Sequence, residues 1–144
     1  MTLRVIAGDA LTAKDVYDIW RIRDAVFAVE QRVDEADADG IDLLPTTTHL
    51  CLGDAQGLAS YLRVHPADGT PRIGRVCTRR DLRRRGLSGR LVRAVVRRWG
   101  AEEIRLNAQA HLEHWYQGFG FSRTGPDFME AGIVHVPMAR PPQR

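Results

Sequence analysis

The sequence predicts a mixed α/β domain with elements in the order β-α-β-β-β-α-β-α-β-β. Three observations carry this. Two stretches repeat apolar residues every three or four positions, as helices with one buried face do. Seven shorter stretches, separated by Gly, Pro, Asn and Asp, read as strands. The length of 144 residues, with 44% hydrophobic and 27% charged, suits one domain with its own core.

"LRVIA" (3–7) reads as the first strand. Thr12 and Asp15 form a capping pair that opens a helix. Val16, Ile19, Trp20, Arg23, Val26, Phe27 and Glu30 recur at helical spacing and carry it to about residue 31. The acidic loop "DEADADGIDLLPTT" (34–47) follows. "HLCLGD" and "LASYLRVHP" flank "DAQG" as a hairpin, and "PRIGRVCT" (71–78) is a further strand. From Gly86 the pattern is helical again. Leu87, Leu91, Val95 and Trp99 lie four apart, Val92 and Val96 widen the stripe, and Gly100 stops it. "EIRLNAQA" (103–110) alternates, with Ile104, Leu106, Ala108 and Ala110 on one face. "HLEHWYQGFG" (111–120) forms a short helix, and "FSRT" and "GIVHVPM" close the fold as strands. Pro137 predicts that the last strand is a sheet edge, because proline lacks the N–H of a central ladder. An open edge there would allow a homodimer. Residues 1–140 make one domain, and residues 141–144 are a loose tail.

No apolar run reaches the length of a membrane helix, and "MTLRVIAGDA" has no signal-peptide core, so the expected location is the cytoplasm. Cys51 and Cys77 form no CxxC or disulfide framework and read as small buried apolar groups. The net charge of +3 hides an asymmetry. Residues 79–98 hold nine arginines against Asp81 alone, whereas the remainder has 12 basic and 17 acidic residues. A nucleic-acid binder spreads its positive charge over a face and interleaves aromatics for base stacking. Here the charge is confined to one segment without an aromatic, which points to a local anion site and not to nucleic acid.

That segment joins a strand ending near Thr78 to a helix starting near Gly86. A helix start offers unpaired N–H groups and a partial positive charge to an anion. Gly86 and Gly89, with the small Ser88 between, let a phosphate approach the backbone. Arg83, Arg84, Arg85 and Arg90 can add charge-assisted bonds, while Arg93, Arg97 and Arg98 lie too far down the helix. Neither a Walker loop nor a dinucleotide GxGxxG is present.

The spacing Arg83-x-x-Gly86-x-Ser88 resembles the [RQ]-x-x-G-x-[GA] pyrophosphate loop of the GNAT superfamily of acyl-CoA-dependent N-acetyltransferases. "WRIRDAVFAVEQ", "DGID", "THL", "YLRV", "RIGRVCT", "LNAQAHLEHWYQGFGF" and "GIVHVPM" are similar, in order, to its ElaA-like branch, over roughly residues 16 to 138. The resemblance implies a central, mostly antiparallel mixed sheet of six or seven strands flanked by about four helices. It also implies acetyl transfer from acetyl-CoA to a primary amine of a small molecule or protein, by direct attack in a ternary complex.

By the same resemblance, Val76, Cys77 and Thr78 lend backbone groups to the pantetheine arm. The amides of Arg84, Arg85, Gly86, Leu87, Ser88 and Gly89 take the pyrophosphate, with Arg83 at the motif's first position. Ser88 stands where Gly or Ala is usual, and Gln109 where Asn is common. Tyr116, four residues before Gly120, matches the family's general acid, which protonates the departing thiolate. Glu30, Glu35, His49 and His111 are the base candidates, with His111 preferred because it follows the strand bordering the acyl slot. Glu30, Asp37 and Asp39 are expected on the acceptor side, where carboxylates would attract a cationic amine.

Two metal readings fail. The acidic loop has Thr46 where a calcium loop needs its twelfth-position Glu, and His111 with His114 lacks a third ligand. Two other functions remain as alternatives: a non-catalytic acyl-CoA sensor and, from another class, nucleic-acid binding through the Arg-rich helix.

Overall fold

The computed structural model describes residues 1–143. β1 (Leu3–Ala7) leads into α1 (Ala13–Arg23), which starts at the expected capping box: Thr12 accepts from the Asp15 N–H, and Asp15 accepts from that of Thr12. α1 continues as a π-helical segment, Asp24–Glu30, with the Gln31 N–H reaching back to the Val26 carbonyl. β2 (Thr48–Asp54), β3 (Gly57–Ala67) and β4 (Thr70–Thr78) form a meander. α2 (Leu87–Trp99), β5 (Ile104–Gln109) and α3 (Glu113–Gln117) follow. β6 (Ser122–Arg123), β7 (Phe128–Glu130) and β8 (Ile133–Arg140) complete the chain.

These make one mixed sheet in the order β1-β2-β3-β4-β5-β8-β6, with β7 also on β8, and every pairing is antiparallel except β4 with β5. Among the described residues the sheet has eight strands where six or seven were expected, flanked by three α-helices where about four were. The class of fold is as read.

Strand alternation sends two cores to opposite faces. On one, Leu87, Leu91, Val92 and Val95 of α2 pack on Leu62, Val64, Ile73, Leu106 and Val136. On the other, Ile19, Ile22 and Val26 cover Cys51, Tyr61 and Cys77. Burial pushes the Cys51 thiol up to about 12, which fits a structural role. Trp20 does not join this core; it is 63% exposed, and the buried side of α1 carries Arg23 instead.

β8 is interior, not an edge: β5 flanks one side, β6 and β7 the other. Pro137 is tolerated because its carbonyl takes the Thr124 N–H on the second side, so its missing donor points into the gap between β6 and β7. The tail is anchored in part, as the Gln143 N–H bonds the Gly100 carbonyl; Arg144 lies outside the described residues.

Two irregularities position the site. The β3–β4 register shifts between Tyr61 and Arg63, where Arg75 takes φ 55° and bulges β4. β4 and β5 pair only through Arg72–Arg105 and Ile73–Leu106, then separate. Beyond Ile73 the edge of β4 facing β5 has no strand partner.

Candidate active site

The chain after Thr78 makes a single 3-10 turn, Arg80–Leu82, held by the Arg79 N–H on the Ala59 carbonyl and pinned by buried Leu82. It then passes through two left-handed residues, Arg84 (φ 64°) and Gly86 (φ 73°), into α2. The first intrahelical bond runs from Arg90 N to Gly86 O, 3.1 Å. The amides of Gly86, Leu87, Ser88 and Gly89 therefore have no intrahelical acceptor, and the helix field adds positive potential there. A side chain at Gly89 would meet Phe119 and Arg93, so glycine keeps this approach open.

The Ser88 hydroxyl lies 2.5 Å from that of Thr78, which is 2.9 Å from Ser60, so it tethers α2 to β4 and β3 and does not cap the helix. Arg83 turns away from the free amides. It donates to both carboxylate oxygens of Glu30, each at 2.5 Å, and to the Thr78 carbonyl at 3.1 Å. The Arg83 guanidinium beside Glu30 holds that carboxyl below its ordinary range.

The separation of β4 and β5 opens a cavity of about 950 Å³, lined at one end by Gly86, Ser88 and Gly89 and at the other by Arg63, His65 and Arg72. Val76, Cys77, Thr78, Leu87, Arg83 and Arg84 also face it; Arg85 does not, and is exposed. Tyr116 lines its wall, 4% exposed, with Trp115 and Phe121 edge-on at 4.9 and 6.1 Å. Burial raises the Tyr116 phenol well above its ordinary value, and no protein charge opposes this. Gln31, at the end of the π-helical segment, and Gln109, at the end of β5, exchange amide hydrogen bonds of 3.0 and 3.4 Å across the cavity.

At the far end, three arginines from three elements hold the acidic loop. Arg23 donates to Asp37 (2.9 Å) and Asp42 (2.7 Å), and Arg75 to Asp37 (2.9 Å). Arg63 donates to Asp42 (2.8 Å) and in bidentate fashion to Asp39, whose carboxyl its hydrogen bonds hold far below the usual range. The Arg23 and Arg63 side chains are 3% exposed. Beneath them, burial pushes the His49 imidazole down; its Nε2–H donates to the Asp42 carbonyl (2.8 Å), and its Nδ1 accepts from Tyr61 (2.6 Å).

The cavity thus gathers Tyr116, His111, Gln109, Asp37 and Asp39 with residues 76–78 and most of 83–89. Glu30 lies behind Arg83, outside the cavity. None of Glu30, Asp37 and Asp39 is free to meet a cation, since each is already paired with arginine. His49 has both ring nitrogens engaged and is fully buried, so it is no base for an acceptor. His135, which sequence reasoning passed over, also lines the cavity; its Nδ1–H donates to the Ile133 carbonyl (2.7 Å), leaving Nε2 3.5 Å from Glu130. Its signal was alternation: His135 and Pro137 share a face opposite to buried Val136 and Met138.

Residues 9–141 match the family described as "Acetyltransferase (GNAT) domain". The chain belongs to the GNAT acetyltransferase family. Among its relatives, a UPF0039 protein of Mycobacterium tuberculosis is 40% identical over 144 residues, covering 96% of this chain and 92% of that one. Protein ElaA of Escherichia coli is 33% identical over 137 residues, covering 90% of each. Its crystal structure superposes with a TM-score of 0.88, covering 97% of this chain and 99% of that one, at 29% identity. An acyl-CoA N-acyltransferase from Pseudomonas aeruginosa gives 0.88 at 32% identity, with coverage of 97% and 99%.

GNAT membership makes the chain an acyltransferase that draws on a coenzyme A donor. Its residues fit that donor: four amides without intrahelical acceptors suit a diphosphate, and an unpaired edge of β4 suits an amide-bearing arm. No helix is long and apolar enough to cross a membrane among the described residues.

Proposed function

We propose that the chain transfers an acetyl group from acetyl-CoA to a primary amine of a small molecule or protein, with Tyr116 as the general acid. One juxtaposition carries this reading: the Tyr116 phenol and the free amides that start α2 line the same cavity. The amides of residues 84–89 hold the diphosphate, and the β4 backbone at Val76, Cys77 and Thr78 holds the pantetheine arm. When bound, acetyl-CoA supplies a thioester whose carbonyl the amine attacks and whose sulfur departs.

Burial keeps Tyr116 protonated at neutral pH, as a proton donor must be. Its hydroxyl gives a proton to the sulfur as the C–S bond breaks, and regains one from solvent. The proton lost by the amine passes to His111, exposed at the rim. His135 is the second base candidate: it lines the same cavity, and its Nδ1–H contact turns Nε2 toward Glu130.

Tyr116→Phe is expected to lower kcat by about a hundredfold or more while coenzyme A binding changes less than about twofold. Steady-state rates with calorimetric binding check this, and full activity in the variant removes Tyr116 from the acid role. Binding without turnover on any amine would instead identify a sensor.

A further inference from the structure

Charge matching divides the acceptor end of the cavity into two unlike parts. Arg23, Arg63 and Arg75 are matched by Asp37, Asp39 and Asp42, so that cluster is neutral. Arg72 is not matched. It sits on β4 opposite His65 of β3, lines the same cavity, and has no carboxylate within 4.0 Å among the described residues. Its Nε is fully buried without a hydrogen-bond partner, and so are His65 Nδ1 and Arg63 Nε.

All three atoms belong to one face of the sheet, since Arg63 and His65 alternate along β3 and His65 pairs with Arg72. Gly74, opposite Arg63, adds no side chain, and a Cβ there would already come within 3.8 Å of Arg63 Nε. Buried donors in native proteins find acceptors; these three nitrogens have none, and Arg72, half-buried and lining the cavity, is the unmatched cation that a ligand can reach. A second cation would leave them unsatisfied. Burial and then the Arg63 charge also hold the His65 imidazole in its neutral form, as a region of positive potential does.

We propose that the acceptor amine carries an anionic group, most simply a carboxylate, which Arg72 and His65 bind on the face of β3 and β4. This names the substrate class within the acetyltransferase reading above and rests on it. It differs from the expectation that Asp37 and Asp39 attract a cationic amine, because arginines already pair with those aspartates. Asp24 and Glu35, which make no ion pair among the described residues, line the same cavity and suit the ammonium end of such a molecule.

The test compares matched amines that differ only in the anionic group: lysine against 1,5-diaminopentane, and phosphoethanolamine against ethanolamine. Wild-type kcat/KM for lysine is expected to exceed that for the diamine by about ten- to a hundredfold, the worth of a hydrogen-bonded charge pair. Arg72→Gln should abolish that margin through KM for lysine, with coenzyme A binding unchanged. Arg72→Lys, which keeps the charge without the fork, should restore part of it. Preference for phosphoethanolamine alone would assign the site to phosphate and overturn the carboxylate choice. Thermal-shift titration of the coenzyme A complex with lysine reads the site without turnover. An Arg72-dependent shift without acetylation keeps the anion site and removes the acetyltransferase reading. Acetylation that ignores the carboxylate, or no shift with wild-type protein, overturns the site.

Discussion

The two ends of the cavity handle charge in opposite ways. At residues 86–89 the donors are main-chain amides, the helix start leaves them without intrahelical acceptors, and the nearby arginines Arg84 and Arg85 are exposed. At residues 37–42 the charges are side chains, and each aspartate is matched by arginines from α1, β3 or β4. Counting charge alone would make the second region a magnet for cations. Counting unmatched partners makes it a wall, and moves the ligand-facing charge to Arg72. The lesson is that a receiving site is marked by donors left over, not by charges present.

The harshest way to break this comparison is at the wall. Asp42 accepts from both Arg23 and Arg63, so Asp42→Ala leaves Arg23, Arg63 and Arg75 facing only Asp37 and Asp39, with one positive charge of the buried cluster unmatched. A loss of about 3–5 kcal/mol is expected, the cost of removing one partner of a buried ion pair. Urea melting measures it, and a loss under about 1 kcal/mol would show that the cluster is wetter than its burial implies.

At the other end, Gly86→Val acts on the ligand more than on the fold. Nothing lies within 4 Å of a Cβ built at Gly86, so the strain comes from its φ of 73°. Left-handed backbone costs a side chain roughly 1–2 kcal/mol, more for a branched one. Coenzyme A affinity is expected to fall more than about tenfold while the protein stays folded. An unchanged affinity, read by calorimetry, would move the diphosphate elsewhere.

The difference between the regions also decides what the sequence could reveal. The loop was legible because its chemistry is local: a strand end, two glycines and a helix stripe lie within about 20 residues, and the stripe of Leu87, Leu91, Val92 and Val95 is buried as read. The wall was not, because its partners are far apart in the chain; Arg63 meets Asp39 across 24 positions and Arg75 meets Asp37 across 38. The same long-range pairing buries Arg23 and leaves Trp20 outside, where spacing alone favoured the indole. β7 escaped because three residues, with Met129 64% exposed, are too few to show alternation. Pro137 misled because its rule assumes an unbroken ladder, and here the partner strand is interrupted.

Acid loosens the wall more gently. His49 has its folded pKa depressed by burial, so it adds stability above its ordinary value near 6.5 that is lost as pH falls below it. Asp39 is likewise depressed, by Arg63, and its contribution is lost only as pH falls below its ordinary value near 3.9. Melting temperature should therefore decline in two stages, and Asp39→Asn should flatten the lower one while lowering stability at neutral pH. One stage, unchanged in the variant, would detach Asp39 from the fold's acid response.

The smallest effect asks whether the loop grips by backbone or by side chain. Arg84 holds φ 64° without being glycine, at a strain of roughly 1–2 kcal/mol. Arg84→Gly keeps the amide and relieves that strain, while loosening the unfolded chain by about 0.4–1 kcal/mol, so the two nearly cancel. The guanidinium, exposed to solvent, contributes about 0.2–1 kcal/mol to any contact it makes. Coenzyme A affinity should therefore fall less than about fivefold at 150 mM salt, and by still less as salt rises and screens the lost charge. A much larger loss, persisting at high salt, would mean that the arginine fork and not the free amides holds the diphosphate. That outcome would erase the contrast between an end built from main chain and an end built from paired side chains.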